Sequence, residues 1–268
     1  MDRSSLIGLF LGIFAIGLGM VMKGVSVLAL FNPAALIIIF VGTAATILIA
    51  FPISTIKIIP NLFKIIFKED KSVDMKSVID MFTEWADLVR REGILALEPK
   101  LDEINDTFLK SGIEFAVDGQ STEFIKDVLM EKVDAMEQRH QKGARVFTLA
   151  GTYAPTLGVL GAVVGLIAAL GNMNDVEVLG NAISSAFVAT LFGIFSGYVL
   201  WHPFANKLKE KSKNEVQLKY IMIEGILSIA NGESPMITND KLSSYLSPSE
   251  LVKLKAEQGD EVYAKEEA

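Results

Sequence analysis

Charged and apolar residues are segregated along this chain rather than interleaved. Residues 4–22, 24–56, 146–174 and 178–206 contain no Asp, Glu, Lys or Arg. About 20 apolar residues in a helix cross the hydrocarbon core of a bilayer. Each block therefore predicts a spanning helix: Leu6 to Met22, Asn32 to Pro52, Val146 to Gly171, and Leu179 to Trp201. The first reads as a retained span rather than a cleaved leader, because Met1-Asp2-Arg3 carries no net positive charge and no A-x-A site follows it.

Between and after the blocks the pattern is helical and amphipathic. Ile56 to Phe67 is apolar apart from Lys57, Asn61 and Lys64, which predicts a helix lying along the headgroups. Val78, Phe82, Trp85 and Val89 recur at three-to-four spacing and predict one buried helix face. Residues 121–145 hold no proline and no strand-like alternation, so that helix is expected to run on into span three, and span four into Lys207 to Ile229. Ser247-Pro248-Ser249-Glu250 is a capping box with proline at the first helical position. The last dozen residues, rich in Glu and Lys, are expected to fray. The fold class is an all-α integral membrane protein. Residues 1–52 form spans one and two, 53–145 a helical domain, 146–203 spans three and four, and 204–268 a helical tail.

Basic residues stay on the cytoplasmic side of a membrane. Segment 53–145 carries 14 Lys and Arg and the chain from 204 onward carries 9, whereas the short joints after spans one and three carry Lys23 alone and none. Both termini and the large middle segment are thus expected in the cytoplasm, with the chain in the cell membrane. The segregation into charge-free blocks of a chain that is 51% hydrophobic yet still 21% charged excludes a purely soluble class; the 21 glycines and 8 prolines follow no G-X-Y period. A net charge of −7 argues against nucleic acid, and the absence of cysteine excludes disulfide and thiol chemistry. With only His140 and His202 as histidines, no nucleophile–base pair and no phosphate loop, an enzyme is not expected, nor any cofactor or metal site.

What the spans lack is equally informative. A protein that moves ions through its own body normally keeps an ionisable group at membrane depth, and these spans offer only hydroxyls and amides. Hydroxyls line a wet passage but hold no exchangeable charge near neutral pH. If protons are the cargo, the titrating carboxylate comes from another chain. Gly158, Gly161 and Gly165 share a face of span three, and Ala189, Gly193 and Gly197 repeat every four residues on span four. Such small-residue faces let helices approach closely in lipid, either within the bundle or against a partner.

Several ordered motifs carry a family resemblance. They are Arg90-Arg91-Glu92-Gly93-Ile94-Leu95-Ala96-Leu97-Glu98, Ala116-Val117-Asp118-Gly119, Met136-Glu137-Gln138-Arg139-His140, Gly151-Thr152-Tyr153-Ala154-Pro155-Thr156-Leu157-Gly158, Trp201-His202-Pro203-Phe204-Ala205-Asn206, and Glu224-Gly225-Ile226-Leu227-Ser228. Between four spans of this orientation, the chain resembles the MotA family of flagellar motor stators, within the MotA/TolQ/ExbB proton channels. The resemblance implies five copies surrounding the membrane helices of a MotB dimer that supplies the aspartate, with torque delivered to the rotor switch-complex protein.

It also implies roles residue by residue. Arg90 and Glu98 match the charged pair presented to the rotor, where a merely solvated surface is the alternative. Pro155 and Pro203 match the family prolines at the cytoplasmic ends of spans three and four, as hinges or static kinks. Thr190 matches the hydroxyl facing MotB, unless it simply bonds its own helix; Thr156 and Tyr153 are further candidates to line the path. Ala162 stands where sodium-driven relatives carry a threonine, which favours H+ as the transported ion. The rival readings are an ExbB- or TolQ-like energiser and a non-conducting four-span scaffold.

Overall fold

The computed structural model describes residues 3–69, 75–171 and 174–257, and every regular element among them is helical. Helix α1 covers Arg3–Met22. After a 3-10 turn at Val27–Leu30, α2 (Pro33–Leu36) passes through a π-helical turn at Ile37–Val41 into α3 (Gly42–Ala50). Then come α4 (Ile53–Ile56), α5 (Ile59–Phe67), α6 (Met75–Glu92), a 3-10 segment at Ile94–Asp102, and α7 (Thr107–Val117). The long α8 (Thr122–Leu170) is followed by α9 (Val176–Phe195), a π-helical turn at Ser196–Trp201, α10 (His202–Ala230), α11 (Pro235–Ser243) and α12 (Pro248–Glu257).

Four stretches are long and apolar enough to cross a membrane: Arg3–Met22, Pro33–Ala50, and windows within Thr122–Leu170 and Val176–Ala230. They coincide with the four charge-free blocks. The predicted run of residues 121–145 into span three is one 49-residue helix, and span four continues through its π turn to Ala230. The ends are capped by side chains. Asn32 Oδ1 accepts from Ala35 N at 3.1 Å with Pro33 in the first turn, and Asp175 Oδ1 accepts from the amides of Glu177 and Val178 at 3.0 and 3.1 Å. Glu250 reaches back to accept from Ser247 N at 2.9 Å, as a capping box requires. Of the last dozen residues, 258–268 lie outside the described ones.

The chain divides into two compact units, Met1–Asp70 with Arg139–Ser212 and Lys71–Gln138 with Lys213–Ala268. In the first, the apolar run predicted to lie along the headgroups is split in two, with Pro60 opening α5. The face of α5 is not left to the headgroups: Ile66 is fully buried with Ala144, Phe147, Ala205 and Leu208, and Phe63 stands edge-on to Phe147 and Phe204. A helix with so pronounced an apolar side gains more from packing on two neighbouring helices than from half-immersion in an interface.

In the second unit, the predicted stripe of α6 is the core. Val78, Phe82, Trp85 and Val89 are buried against Ile113, Leu129, Ile221, Ile226 and Ile229. Gly225 lies beneath Phe82 so closely that a Cβ there would sit 2.5 Å from the ring. Near this core, Lys219 is 8% exposed. Its ammonium lies 2.7 Å from Asp106 Oδ2 and 4.9 Å from the centre of the Phe108 ring. Asp106 in turn caps α7, accepting from Phe108 N at 2.9 Å and Leu109 N at 3.0 Å.

Burial pushes the Asp106 carboxyl up, but the Lys219 hydrogen bond and charge together with the two amides outweigh it and hold it below the usual carboxylate range. A depressed carboxylate contributes stability that is fully present above its unfolded pKa and is lost as pH falls through the folded value. Asp106→Ala is therefore expected to cost about 2 kcal/mol at neutral pH. About half of that is the helix cap, and the remainder is the Lys219 contact, discounted for the partial exposure of the carboxylate. The deficit relative to wild type should shrink as pH drops below about 4. Thermal melts of the purified protein across that range, followed by circular dichroism, check both statements.

Candidate functional site

Spans three and four meet backbone to backbone. A Cβ on Gly158 would lie 2.8 Å from Gly193 Cα and 2.9 Å from the Ala189 carbonyl, and one on Gly193 would lie 2.7 Å from Gly158 Cα. Above them Gly161 meets the Ala189 methyl and Gly165 the Ala186 methyl, each at 3.2 Å from the position a Cβ would take. Of the two uses open to the small-residue faces, packing inside the chain is the one realised. Near the start of spans two and four, Asn32 Nδ2 donates to Ser185 Oγ at 2.6 Å and ties the two together.

Pro155 acts directly on that interface, and Pro203 only through the turn that precedes it. Pro155 has no N–H to give to Gly151, four residues back, and α8 nevertheless continues through it. The freed carbonyl faces span four: a Cβ on Gly197 would lie 2.8 Å from Gly151 O and 2.8 Å from Pro155 Cγ. The hydrogen that glycine carries instead is directed at that oxygen, a weak C–H···O contact at a buried site. Gly197 belongs to the π turn Ser196–Trp201, where His202 N donates to Gly197 O, five residues back. Pro203 follows directly, and the proline ring's clash with the carbonyl four residues earlier is relieved by the wider turn. Pro155 is half-buried on Gly197, whereas Pro203 is exposed.

The hydroxyls are satisfied within their own helices. Thr190 Oγ1 donates to Ala186 O at 3.3 Å, the self-bonded alternative, and Thr190 is half-buried. Thr156 Oγ1 donates to Tyr153 O at 2.7 Å, Thr152 Oγ1 to Thr148 O at 3.0 Å and Thr148 Oγ1 to Ala144 O at 3.2 Å. Each keeps lone pairs for accepting. Thr152 and Thr156 are exposed on the side of span three turned away from the glycines, while Tyr153 and Ala162 are half-buried. Thr152 was not among the expected site residues; its spacing of four from both Thr148 and Thr156 sets it on one side of the helix with them. Gly197 was visible only as one member of a small-residue repeat.

Arg90 and Glu98 lie far from the spans in sequence and belong to the second unit. Arg90 sits in the last turn of α6, and Gly93, with φ of +88°, breaks the helix and starts the 3-10 segment that holds Glu98. Both side chains are exposed. Neighbouring Arg91 pairs with Asp87 on its own helix.

A family model for the MotA/TolQ/ExbB proton channels matches residues 100–220. Over 260 residues, 97% of this chain and 96% of the relative, the sequence is 58% identical to motility protein A of Bacillus subtilis (strain 168). The chain belongs to the MotA/TolQ/ExbB proton channel family. The fold agrees. It matches a chain in the structure of the flagellar MotAB stator complex from Bacillus subtilis with a TM-score of 0.90, covering 94% of this chain and 99% of that one. It matches a chain in the structure of C. jejuni MotAB with a TM-score of 0.88 at 31% identity, covering 92% and 97%. As members of this family, the four spans place the chain in a membrane.

The Gly151–Pro155–Gly197 contact makes a sharp demand on this MotA-type bundle. Gly197→Ala puts a methyl into a carbonyl and a rigid ring, and such overpacking typically costs about 1–3 kcal/mol. It should lower the amount of protein in the membrane fraction and the melting temperature in detergent. Gly180→Ala, where nothing lies within 4 Å of the added Cβ, should change neither. Immunoblots of membranes and melts of the solubilised protein read both.

Proposed function

We propose that this chain is the stator subunit that, with a MotB-type partner, turns ion flow into rotation of a flagellar motor. The observation that carries the proposal is a mismatch. Four spans without a single Asp, Glu, Lys or Arg present exposed, self-bonded threonines on span three. Such a face accepts hydrogen bonds but cannot hold a proton, so the titrating carboxylate is taken from the partner. Five copies of this chain would surround two copies of that partner, with the termini and the second unit in the cytoplasm. The lysine and arginine bias of the loops supports that orientation.

In this reading Thr152, Thr156, Tyr153 and Thr190 border the path, and Pro155 and Pro203 set the geometry at its inner end. Ala162 leaves no oxygen for a hard cation, which favours protons. Arg90 and Glu98 face the rotor switch-complex protein. One charge crossing roughly 150 mV releases about 3.5 kcal/mol, enough to bias a step between two arrangements though not to unpack a core.

The testing experiment is a native mass of the detergent-solubilised complex, co-expressed with a single-span partner that carries a membrane aspartate. A mass fitting five plus two is the expected result; this chain alone, or a closed ring without the partner, would sink the proposal in favour of a scaffold. The ion assignment is tested separately. Replacing sodium by potassium in the medium should leave swimming speed unchanged, whereas strict sodium dependence would overturn the reading of Ala162.

A further inference from the structure

We propose that Leu95 is an apolar anchor for the rotor, set directly beside Glu98 by the 3-10 geometry of residues 94–102. The inference rests on the reading of Arg90 and Glu98 as rotor-facing and adds the contact that their charges alone do not provide. In a 3-10 helix three residues make a turn, so side chains at i and i+3 eclipse. Ile94 and Leu97 occupy one edge of the segment; Leu97 is fully buried and Ile94 packs against the core of the second unit. Leu95 and Glu98 share the next edge, and both are exposed. The positive φ of Gly93 sets this phase, because it ends α6 one residue before the new helix starts.

Leu95 is 64% exposed. Leaving most of a leucine in water is an arrangement that folding does not favour, and Ile94 and Leu97 already fasten the segment to its core. Among the described residues of the second unit, the other exposed large apolar side chains are Phe124, Met236 and Ile237. Phe124 stands edge-on to Phe115 with ring centres 5.7 Å apart, and Met236 and Ile237 open α11. Leu95 alone among these four belongs to the segment that carries Glu98. An exposed apolar side chain sharing an edge with anionic Glu98, on the segment that opens just after the Arg90 turn of α6, has the make-up of an interface centre with a polar rim. The partner surface that fits it is a protein face with an apolar cleft between an acidic side chain, opposite Arg90, and a basic one, opposite Glu98. Charges then give orientation and rate of encounter, and the leucine holds the engaged state.

The test uses the whole stator complex in cells whose motors are followed by a tethered bead at high load. Leu95→Asn should lower the torque delivered per stator unit by about fivefold or more, and Leu95→Met should keep at least half of it. Combined with Glu98→Gln, Leu95→Asn should show a non-additive loss, as residues in one contact do. The mass and melting temperature of the purified Leu95→Asn complex should match wild type. Wild-type torque from Leu95→Asn, or a loss of torque accompanied by loss of assembly, overturns the anchor. If Arg90→Glu and Glu98→Lys both leave swimming intact, the rotor reading fails and the anchor falls with it. If those reversals stop swimming while Leu95→Asn does not, the rotor reading stands and only the anchor is lost.

Discussion

The contact between Gly158 and Gly193 fixes the rotation of span three about its own axis, and most of the membrane-embedded arrangement follows from it. Two backbones meet where neither residue has a side chain to hold them apart, and in lipid such packing replaces the hydrophobic drive that joins helices in water. Once Gly158, Gly161 and Gly165 face span four, residues two positions away are turned by about 200°. Thr156 is therefore on the far side, and Thr152 close to it. The glycine stripe and the exposed hydroxyls are thus two consequences of one contact rather than separate features.

The same interface accommodates two prolines without breaking a helix. Pro155 withdraws a donor from Gly151, and Gly197, lacking a side chain, lets span four come close enough to cover the oxygen. Pro203 withdraws a second donor one helix over, and the π turn before it absorbs the strain. An unpaired carbonyl at membrane depth would cost several kcal/mol, so these devices belong together. The choice between hinge and static kink is thereby sharpened: at this interface the break in α-helical hydrogen bonding is concentrated in six residues of span four, while span three remains one continuous helix of 49 residues through Pro155.

The four spans were legible because charge is so costly in hydrocarbon that its absence over 19 or more residues has few other causes. The core of α6 was legible for the complementary reason, since Val78, Phe82, Trp85 and Val89 leave one face only to bury. Less could be read where the outcome depends on a neighbour. The small-residue faces gave no hint whether their partner was the same chain or another. The apolar face of α5 looked the same whether headgroups or Phe147 and Ala205 were to cover it. Nothing in the residue pattern announced the π turn at Ser196–Trp201, because it answers a proline downstream and a contact across the interface. Around Arg90 and Glu98 the run of nine residues reads as a continuous surface. Gly93 was the mark of a break, and the eclipsed phase that follows it has a period unlike either helix or strand.

The self-bonded threonines bear on how such a face works. Thr148, Thr152 and Thr156 spend their protons on their own helix, so a neighbouring helix moving across them breaks no hydrogen bond and exposes no donor. Beyond Thr156 the exposed surface continues as Val159, Leu160 and Val163, all apolar. The energy of one ion, about 3.5 kcal/mol at roughly 150 mV, is of the order of two or three buried hydrogen bonds at their net value. A surface whose bonds had to be remade at every step would consume that supply. On the proposed stator reading, a surface whose polar groups are closed on themselves would leave it available for the one interaction that changes along the path, between an acceptor lone pair and a carboxylic acid brought by the partner.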